Sequence, residues 1–156
     1  MPSNDYFAAI QVSTQIEFER LMRAFDWNPI TIEKDSQQYY ECFLEIEGHS
    51  PLRLIAAVAD EMGNVASSVL CLKLCEIFHP AFMILTGIAA GVRFIHKQKQ
   101  PELGDVLIAD RVWNFSNGKY VDAEESSLSV GNIGFLPRPN VLKIKSDLRR
   151  FIKEIA

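Results

Sequence analysis

The chain has 156 residues, with 16 Lys and Arg against 20 Asp and Glu, which gives a formal net charge of −4. This length fits one domain, taken here as residues 1–156, and it allows a substantial hydrophobic core. The negative balance argues against a general nucleic-acid surface. The first residues, MPSNDYFAAI, show no secretory pattern, and three cysteines argue against a disulfide framework. A cytoplasmic location is therefore expected.

The first part of the chain predicts a strand followed by a helix. The run from Tyr6 to Val12 has the apolar character of a short buried strand. Ser13 or Thr14 can cap the helix that follows, and Glu17 lies three residues after Thr14, as in a capping box. A carboxylate at this place stabilises the helix amino terminus. Glu17 therefore has a structural explanation before any functional one is considered.

The next segment predicts a hairpin. Residues 38–47 alternate between apolar and polar side chains, as in a half-buried strand, and residues 52–59 form a more continuously apolar strand. The turn between them carries His49, for which a solvated side chain is expected.

A glycine-containing turn, residues 60–64, then leads into a predicted helix over Val65 to Phe78. A strand, a turn and a helix amino terminus in this order predict a pocket for an anion or another ligand. The dinucleotide GxGxxG motif and the P-loop are both absent from the sequence, so no dinucleotide or triphosphate cofactor is expected.

Cys71, Cys75 and His79 are spaced four residues apart, which places them along one side of the predicted helix. Their side chains are of types that bind zinc. All three come from one helix face, however, no fourth ligand is evident, and Pro80 ends the helix. Two small core positions and a helix-terminal histidine explain the pattern better, and no metal is expected.

The most informative run extends from Met83 to Asp110. A predicted strand from Ala81 to Thr86 stops at Gly87, small residues follow, and a second apolar strand is predicted from Asp105 to Asp110. Small residues at the carboxyl end of a strand let a ligand approach the backbone closely. A plain turn is the alternative. The GxxxG spacing of Gly87 and Gly91 does not indicate a membrane span, because a span needs about 20 apolar residues.

Beyond Asp110 the chain is polar and rich in turn residues, which predicts a long surface excursion with a short strand pair. From Asn140 onward, apolar residues recur at steps of three and four. This pattern predicts an amphipathic helix.

The sequence TGIAAGV at residues 86–92, followed by LGDVLIAD at residues 103–110, resembles the strand-loop-strand signature of the nucleoside phosphorylase and nucleosidase superfamily. DEMGNVA at residues 60–66 is similar to that family's glycine turn, and residues 15–19 to its acidic segment at the first helix. Residues 110–119 resemble a bacterial branch of methylthioadenosine/adenosylhomocysteine nucleosidase-like domains that are often fused to sensor or effector modules. Order and spacing agree from about Phe7 to Lys119.

The resemblance implies an α/β fold with a mixed central sheet flanked by helices, incomplete at the C-terminal end. It implies a small-molecule nucleoside as the partner, no organic cofactor, no membrane and a homodimer. In the family an acidic residue at the position of Glu17 directs the attacking water. The residues that the resemblance places at the substrate are Met62, Gly63, Gly87, Ile88, Ala89 and Ala90.

Two departures from the family pattern bear on the reaction. Leu85 stands where bacterial purine phosphorylases carry a phosphate-binding arginine, and Ile88 stands where many members carry a serine. Both departures favour hydrolysis over phosphorolysis. The family's Met-Glu motif, which grips the ribose, and its base-protonating Asp have no counterpart in these 156 residues.

The expected function is cleavage of the N-ribosyl bond of a purine nucleoside by the parent protein, with this chain as the amino-terminal portion of the domain. The alternative is a non-catalytic nucleoside-binding or oligomerisation module of the same fold. A generic flavodoxin-like regulatory domain is a third reading.

Overall fold

A computed structural model of the protein describes residues 6–89, 102–109, 111–113, 117–122, 129–130, 133–138 and 141–155. The chain divides into two compact units, Met1–Ala90 and Gly91–Ala156, and each is described by itself. The elements of the first unit are β1 (Tyr6–Val12), α1 (Gln15–Met22), β2 (Asn28–Ile30), β3 (Tyr39–Leu44), β4 (Leu52–Val58), α2 (Asn64–Phe78) and β5 (Pro80–Leu85).

The five strands of the first unit form one mixed sheet in the order β2-β3-β4-β1-β5. Strand β1 is parallel to both of its neighbours, with Ala9 opposite Ile55 of β4 and Met83 of β5. The remaining pairs, β2 with β3 and β3 with β4, are antiparallel. The predicted hairpin and the predicted mixed α/β sheet are both confirmed.

The two helices of this unit cover opposite faces of the sheet, because the residues of β1 alternate between them. Ile10 and Val12 pack with Phe18 of α1. Ala9 belongs to the larger cluster, which contains Leu70, Leu74 and Phe78 of α2. The burial of small residues on β1 and β4, with Ala9, Ala56 and Ala57 at 0% exposure, lets both helices approach the sheet closely.

Helix α2 is bounded by two residues of unusual backbone conformation. Gly63, with φ of 126°, precedes the first turn, and its position explains why a glycine stands there. His79 at the other end is left-handed, with φ of 45°, and Pro80 then opens β5. At 15 residues α2 is the longest helix in the described ranges, and none of those helices is long and apolar enough to span a bilayer.

The described part of the second unit contains two small antiparallel sheets and a helix. One sheet pairs β6 (Arg111–Trp113) with β10 (Val141–Lys143), and the other has the order β7-β9-β8. The remaining elements are β7 (Gly118–Asp122), β8 (Ser129–Val130), β9 (Ile133–Pro137) and α3 (Ser146–Ile155).

Three predicted elements differ from those observed. The final helix begins at Ser146 and not near Asn140, because residues 141–143 pair as a strand with 111–113. The helical spacing of apolar residues after Thr14 predicts a first helix that ends near Trp27, but α1 ends at Met22. The strand expected over 105–110 is not formed in its described part, 105–109, where Val106 is 84% exposed and no ladder partner is present.

Leu74→Ala should destabilise the first unit by about 2–5 kcal/mol, because it removes a fully buried side chain and leaves a cavity between α2 and the sheet. Leu72→Ala on the same helix is the control: Leu72 is 61% exposed, and the change should stay within about 0.5 kcal/mol. Urea unfolding followed by Trp27 fluorescence in a Trp113→Phe background measures both. Equal effects of the two variants would contradict this packing.

Candidate functional site

The carboxyl ends of β1, β4 and β5 lie at the same edge of the sheet, because the three strands are parallel. The segments that follow them are tied together by backbone hydrogen bonds. The N–H of Ala59 donates to the carbonyl of Val12 at 3.0 Å, and the N–H of Thr86 donates to that of Gln11 at 3.0 Å. The turn after β1 is therefore flanked on one side by the turn after β4 and on the other by the turn after β5.

Glu17 is positioned first by its own helix. The side chain of Thr14 accepts from the Glu17 N–H at 3.3 Å, and Glu17 Oε2 accepts from the Thr14 N–H at 3.0 Å. The N–H of Ser13 also donates to Oε2, at 3.3 Å. This is the predicted capping box. It confirms the structural role of Glu17 and turns its carboxylate back over the end of β1.

The other carboxylate oxygen of Glu17 reaches the loop after β5. The backbone N–H of Ile88 donates to Oε1 at 2.7 Å, across 71 residues of sequence. Gly87 makes this approach possible, because a Cβ at that position would lie 2.6 Å from Oε1. The structure thus brings three of the predicted site residues, Glu17, Gly87 and Ile88, into direct contact.

These contacts hold the pKa of the Glu17 carboxyl below its usual range. The hydrogen bond from Ile88 N–H is the main cause, opposed by partial burial and supported by the bonds from Thr14 and Ser13. Glu17 is therefore a carboxylate at neutral pH. Its two oxygens offer about four acceptor sites, and the described backbone donors occupy three, so Oε1 retains room for one more donor. A water molecule fits that chemistry.

Met62 and Gly63 lie in the turn that follows β4. Met62 is 76% exposed and lines two cavities. One, of about 420 Å³, is also lined by Ser13 and Thr14, in the turn that leads into α1 and Glu17. The other, of about 440 Å³, is shared with Gly63 and the first turn of α2. Both volumes are in the range of small-ligand sites.

The second of these cavities has a cation at its wall that is already paired. Lys73 of α2 donates to Asp35 Oδ1 at 2.7 Å, and Tyr39 donates its hydroxyl to Oδ2 at 2.8 Å. Led by the bond from Lys73, these contacts lower the pKa of Asp35 to about 2. The cavity also bears Asp60 and Glu61, so its walls do not favour an anion.

Two further residues, Ala89 and Ala90, were predicted to lie at the substrate. Ala89 is exposed in the loop after Ile88, and Ala90 lies outside the described residues. In the ranges that the structure describes, no three His, Cys, Asp or Glu side chains form a group able to hold a metal.

The sequence alone missed the Ile88 backbone donor and the buried Gln11. Gln11 is 2% exposed and donates its amide to the Ser67 hydroxyl at 2.7 Å, which fixes the end of β1 to α2. The sequence feature that could have pointed to Gln11 is its polar side chain within an otherwise apolar strand.

Solved structures align with this chain over nearly its whole length. A 5′-methylthioadenosine/S-adenosylhomocysteine nucleosidase from Neisseria meningitidis, in complex with methylthio-immucillin-A, aligns with a TM-score of 0.59 and 20% identity over 94% of this chain. Futalosine hydrolase from Helicobacter pylori gives a TM-score of 0.59 and 16% identity over 96% of the chain. The chain has the fold of these nucleosidases.

The alignment with this chain covers only part of the length of those proteins. The chain spans 56% of the Neisseria structure and 59% of the futalosine hydrolase. A curated relative, the uncharacterized protein y4jS of Sinorhizobium fredii, is 28% identical over 114 residues, which are 73% of this chain and 25% of that protein. No protein-family model matches the chain.

Gly87→Ala should displace the Glu17 carboxylate, because the new methyl group would occupy the position beside Oε1. The expected cost is the bond to Ile88, about 0.5–1.5 kcal/mol. Gly87 does not have a positive φ, so the backbone itself tolerates alanine. A double-mutant cycle with Glu17→Ala measures the coupling by urea unfolding. If Gly87→Ala costs as much without the Glu17 side chain as with it, the contact is not its cause.

The pH dependence of stability should reveal the lowered pKa of Glu17. Because the folded-state pKa lies below the unfolded-state pKa, the contribution of the carboxylate is complete above the unfolded value and is lost as pH falls through the folded value. The difference in unfolding free energy between wild type and Glu17→Gln should therefore be largest near neutral pH and shrink below about pH 4. A difference that stays constant from neutral to acidic pH would contradict the assignment.

Proposed function

We propose that the chain supplies the water-directing half of a site that hydrolyses the N-ribosyl bond of a purine nucleoside. The observation that carries the proposal is the Glu17 carboxylate, held at 2.7 Å by the Ile88 N–H at the carboxyl ends of parallel strands. Open α/β sheets place ligands at this edge. The shared fold with nucleosidases and a futalosine hydrolase supports the same reaction class.

The chemistry follows from the charge and position of Glu17. Cleavage passes through a ribose with oxocarbenium character, so the attacking water needs only modest activation. Glu17 accepts a hydrogen bond from the water through Oε1, and it takes up a proton as the water oxygen bonds to C1′. The C1′–N bond breaks at the same time, and its electron pair leaves with the base. The acid that protonates the base is not assigned to a residue of this chain.

Water is the preferred nucleophile because the described residues at the end of β5 and directly after it, 85–89, provide no positive charge for phosphate. Leu85 is an apolar side chain at 65% exposure, and Ile88, at 81% exposure, contributes an N–H to Glu17 but no hydroxyl. A phosphate ion would need positive charge or several donors in this place.

The substrate proposed is a small purine nucleoside bound between the two turns that flank Glu17. Met62 and Gly63 would form one wall, and Ile88 and Ala89 the other, with Ala90 continuing it. Met62 and Ile88 are strongly exposed apolar side chains, of the kind that cover a base or an apolar 5′ substituent. The proposal includes a cytoplasmic protein that acts as a homodimer.

The decisive experiment measures free-base release from 5′-methylthioadenosine, S-adenosylhomocysteine, futalosine and adenosine. It uses the 156-residue chain and any longer natural protein that contains it. In a protein that releases base, Glu17→Gln should lower kcat by roughly 10²–10⁴-fold, the usual contribution of a positioned acid–base group. Glu19→Gln, an exposed carboxylate on the same helix, is the matched control and should change kcat little. Unchanged kcat in Glu17→Gln would refute its role.

The 156-residue chain alone should release little or no base, since the proposal assigns it no acid for the leaving group. Rapid release by this chain would contradict that division of the site. Saturable nucleoside binding without turnover in any longer protein, lost on Ala89→Trp, would favour the binding-module alternative. Absence of both binding and turnover would count against each of the two functions.

A further inference from the structure

The second unit contains a cleft whose walls are strongly basic, although the whole chain carries a net charge of −4. The cleft has a volume of about 470 Å³ and lies between the β6–β10 sheet and α3. Of the eight described residues that line it, five are cationic and one, Glu154, is a carboxylate. The cationic residues are Arg111, Lys143, Arg149, Arg150 and Lys153.

The strand pairing itself brings like charges together. Lys143 of β10 is directly opposite Arg111 of β6 in the antiparallel register, so both side chains project from the same face of the sheet. Like charges in this position destabilise a sheet.

The helix repeats this pattern. Arg149 and Lys153 are four residues apart on α3, and a like-charge pair at that spacing also destabilises a helix. Arg150 has an ion pair with Asp147 at 3.2 Å, but both side chains are largely exposed, at 73% and 90%, and such pairs contribute little. Two separate elements therefore concentrate positive charge on one concave surface.

We propose that this cleft binds a small, multiply charged phosphate anion, either inorganic polyphosphate or the phosphate chain of a nucleotide. Arginine guanidinium groups form paired hydrogen bonds with phosphate oxygens, and lysines add mobile positive charge. The volume suits a ligand of nucleotide size. A bound anion would offset both like-charge arrangements. This proposal does not depend on the nucleosidase activity.

The test is titration of the 156-residue chain with inorganic triphosphate by calorimetry at low salt, where electrostatic binding is strongest. Wild type should bind one triphosphate saturably. Lys143→Gln with Lys153→Gln removes two exposed cations of the cleft and should raise Kd by roughly tenfold or more. Lys145→Gln is the matched control, an exposed lysine two residues from Lys143 that does not line the cleft, and its Kd should stay near that of wild type.

Weaker triphosphate binding by a lysine variant could also result from misfolding, so a second variant is chosen that should bind triphosphate more tightly. Glu154→Gln removes the carboxylate found among the described lining residues and should lower Kd for triphosphate several-fold. Circular dichroism of each variant without triphosphate should match wild type. Equal weakening by Lys145→Gln, no effect of Glu154→Gln, or no saturable binding by wild type would overturn the proposal.

The source of the anion is distinguished by comparing inorganic triphosphate, ATP and adenosine. Equal affinity for triphosphate and ATP would support recognition of the phosphate chain alone, and tighter binding of ATP would support a nucleotide ligand. Binding of adenosine at the cleft with the same affinity as ATP would contradict the proposal. Length-dependent binding of single-stranded DNA in preference to triphosphate would replace it with a nucleic-acid surface.

Discussion

The first unit depends on the burial of strand β1, in which every residue except Phe7 is buried. Its two edges pair in parallel with β4 and β5, and its two faces are covered by α1 and α2. Such a strand must be apolar throughout, and the one exception, Gln11, is hydrogen-bonded to Ser67 of α2. Because both neighbours are parallel, three strand ends and the turns after them meet at one edge. The candidate site exists only because of that arrangement.

At this edge, Glu17 combines an observed structural role with the proposed chemical one. The capping box satisfies backbone donors at the start of α1 and, by the same bonds, orients the carboxylate, whose pKa is lowered mainly by the hydrogen bond from the Ile88 N–H. Gly87 then permits the loop after β5 to approach until the Ile88 N–H meets Oε1. A cap and a water-directing group need the same thing, a fixed ionised carboxylate. Its capping role therefore does not compete with the proposed catalytic one.

The two units differ in the arrangement of the charged side chains that line their cavities. In the first, the cation beside a cavity, Lys73, is neutralised by Asp35, and Asp60 and Glu61 add negative charge to the cavity walls. In the second, strand register and helix spacing gather cations on one concave surface. The chain spans little more than half of the nucleosidases that share its fold. Under the proposed function, the first unit would supply the water-directing side of the site, and the leaving-group side is not assigned to this chain.

Local signals determined much of the first unit. Apolar periodicity, the Thr14–Glu17 cap and the turn at 48–51 predicted β1, α1, the hairpin and α2, because each signal acts within a few residues of chain. Local signals could not predict the contact between Glu17 and Ile88, because the two residues are 71 positions apart in the sequence. The donor is also a backbone N–H, which does not depend on the type of side chain. Residues 141–143 have a helical apolar spacing but form a strand, because pairing with 111–113 outweighs that weak local preference. The sequence alone determined the elements that depend on short-range hydrogen bonds and on the local pattern of apolar residues. The order of the strands, and with it the candidate site, was decided only by long-range pairing in the tertiary structure.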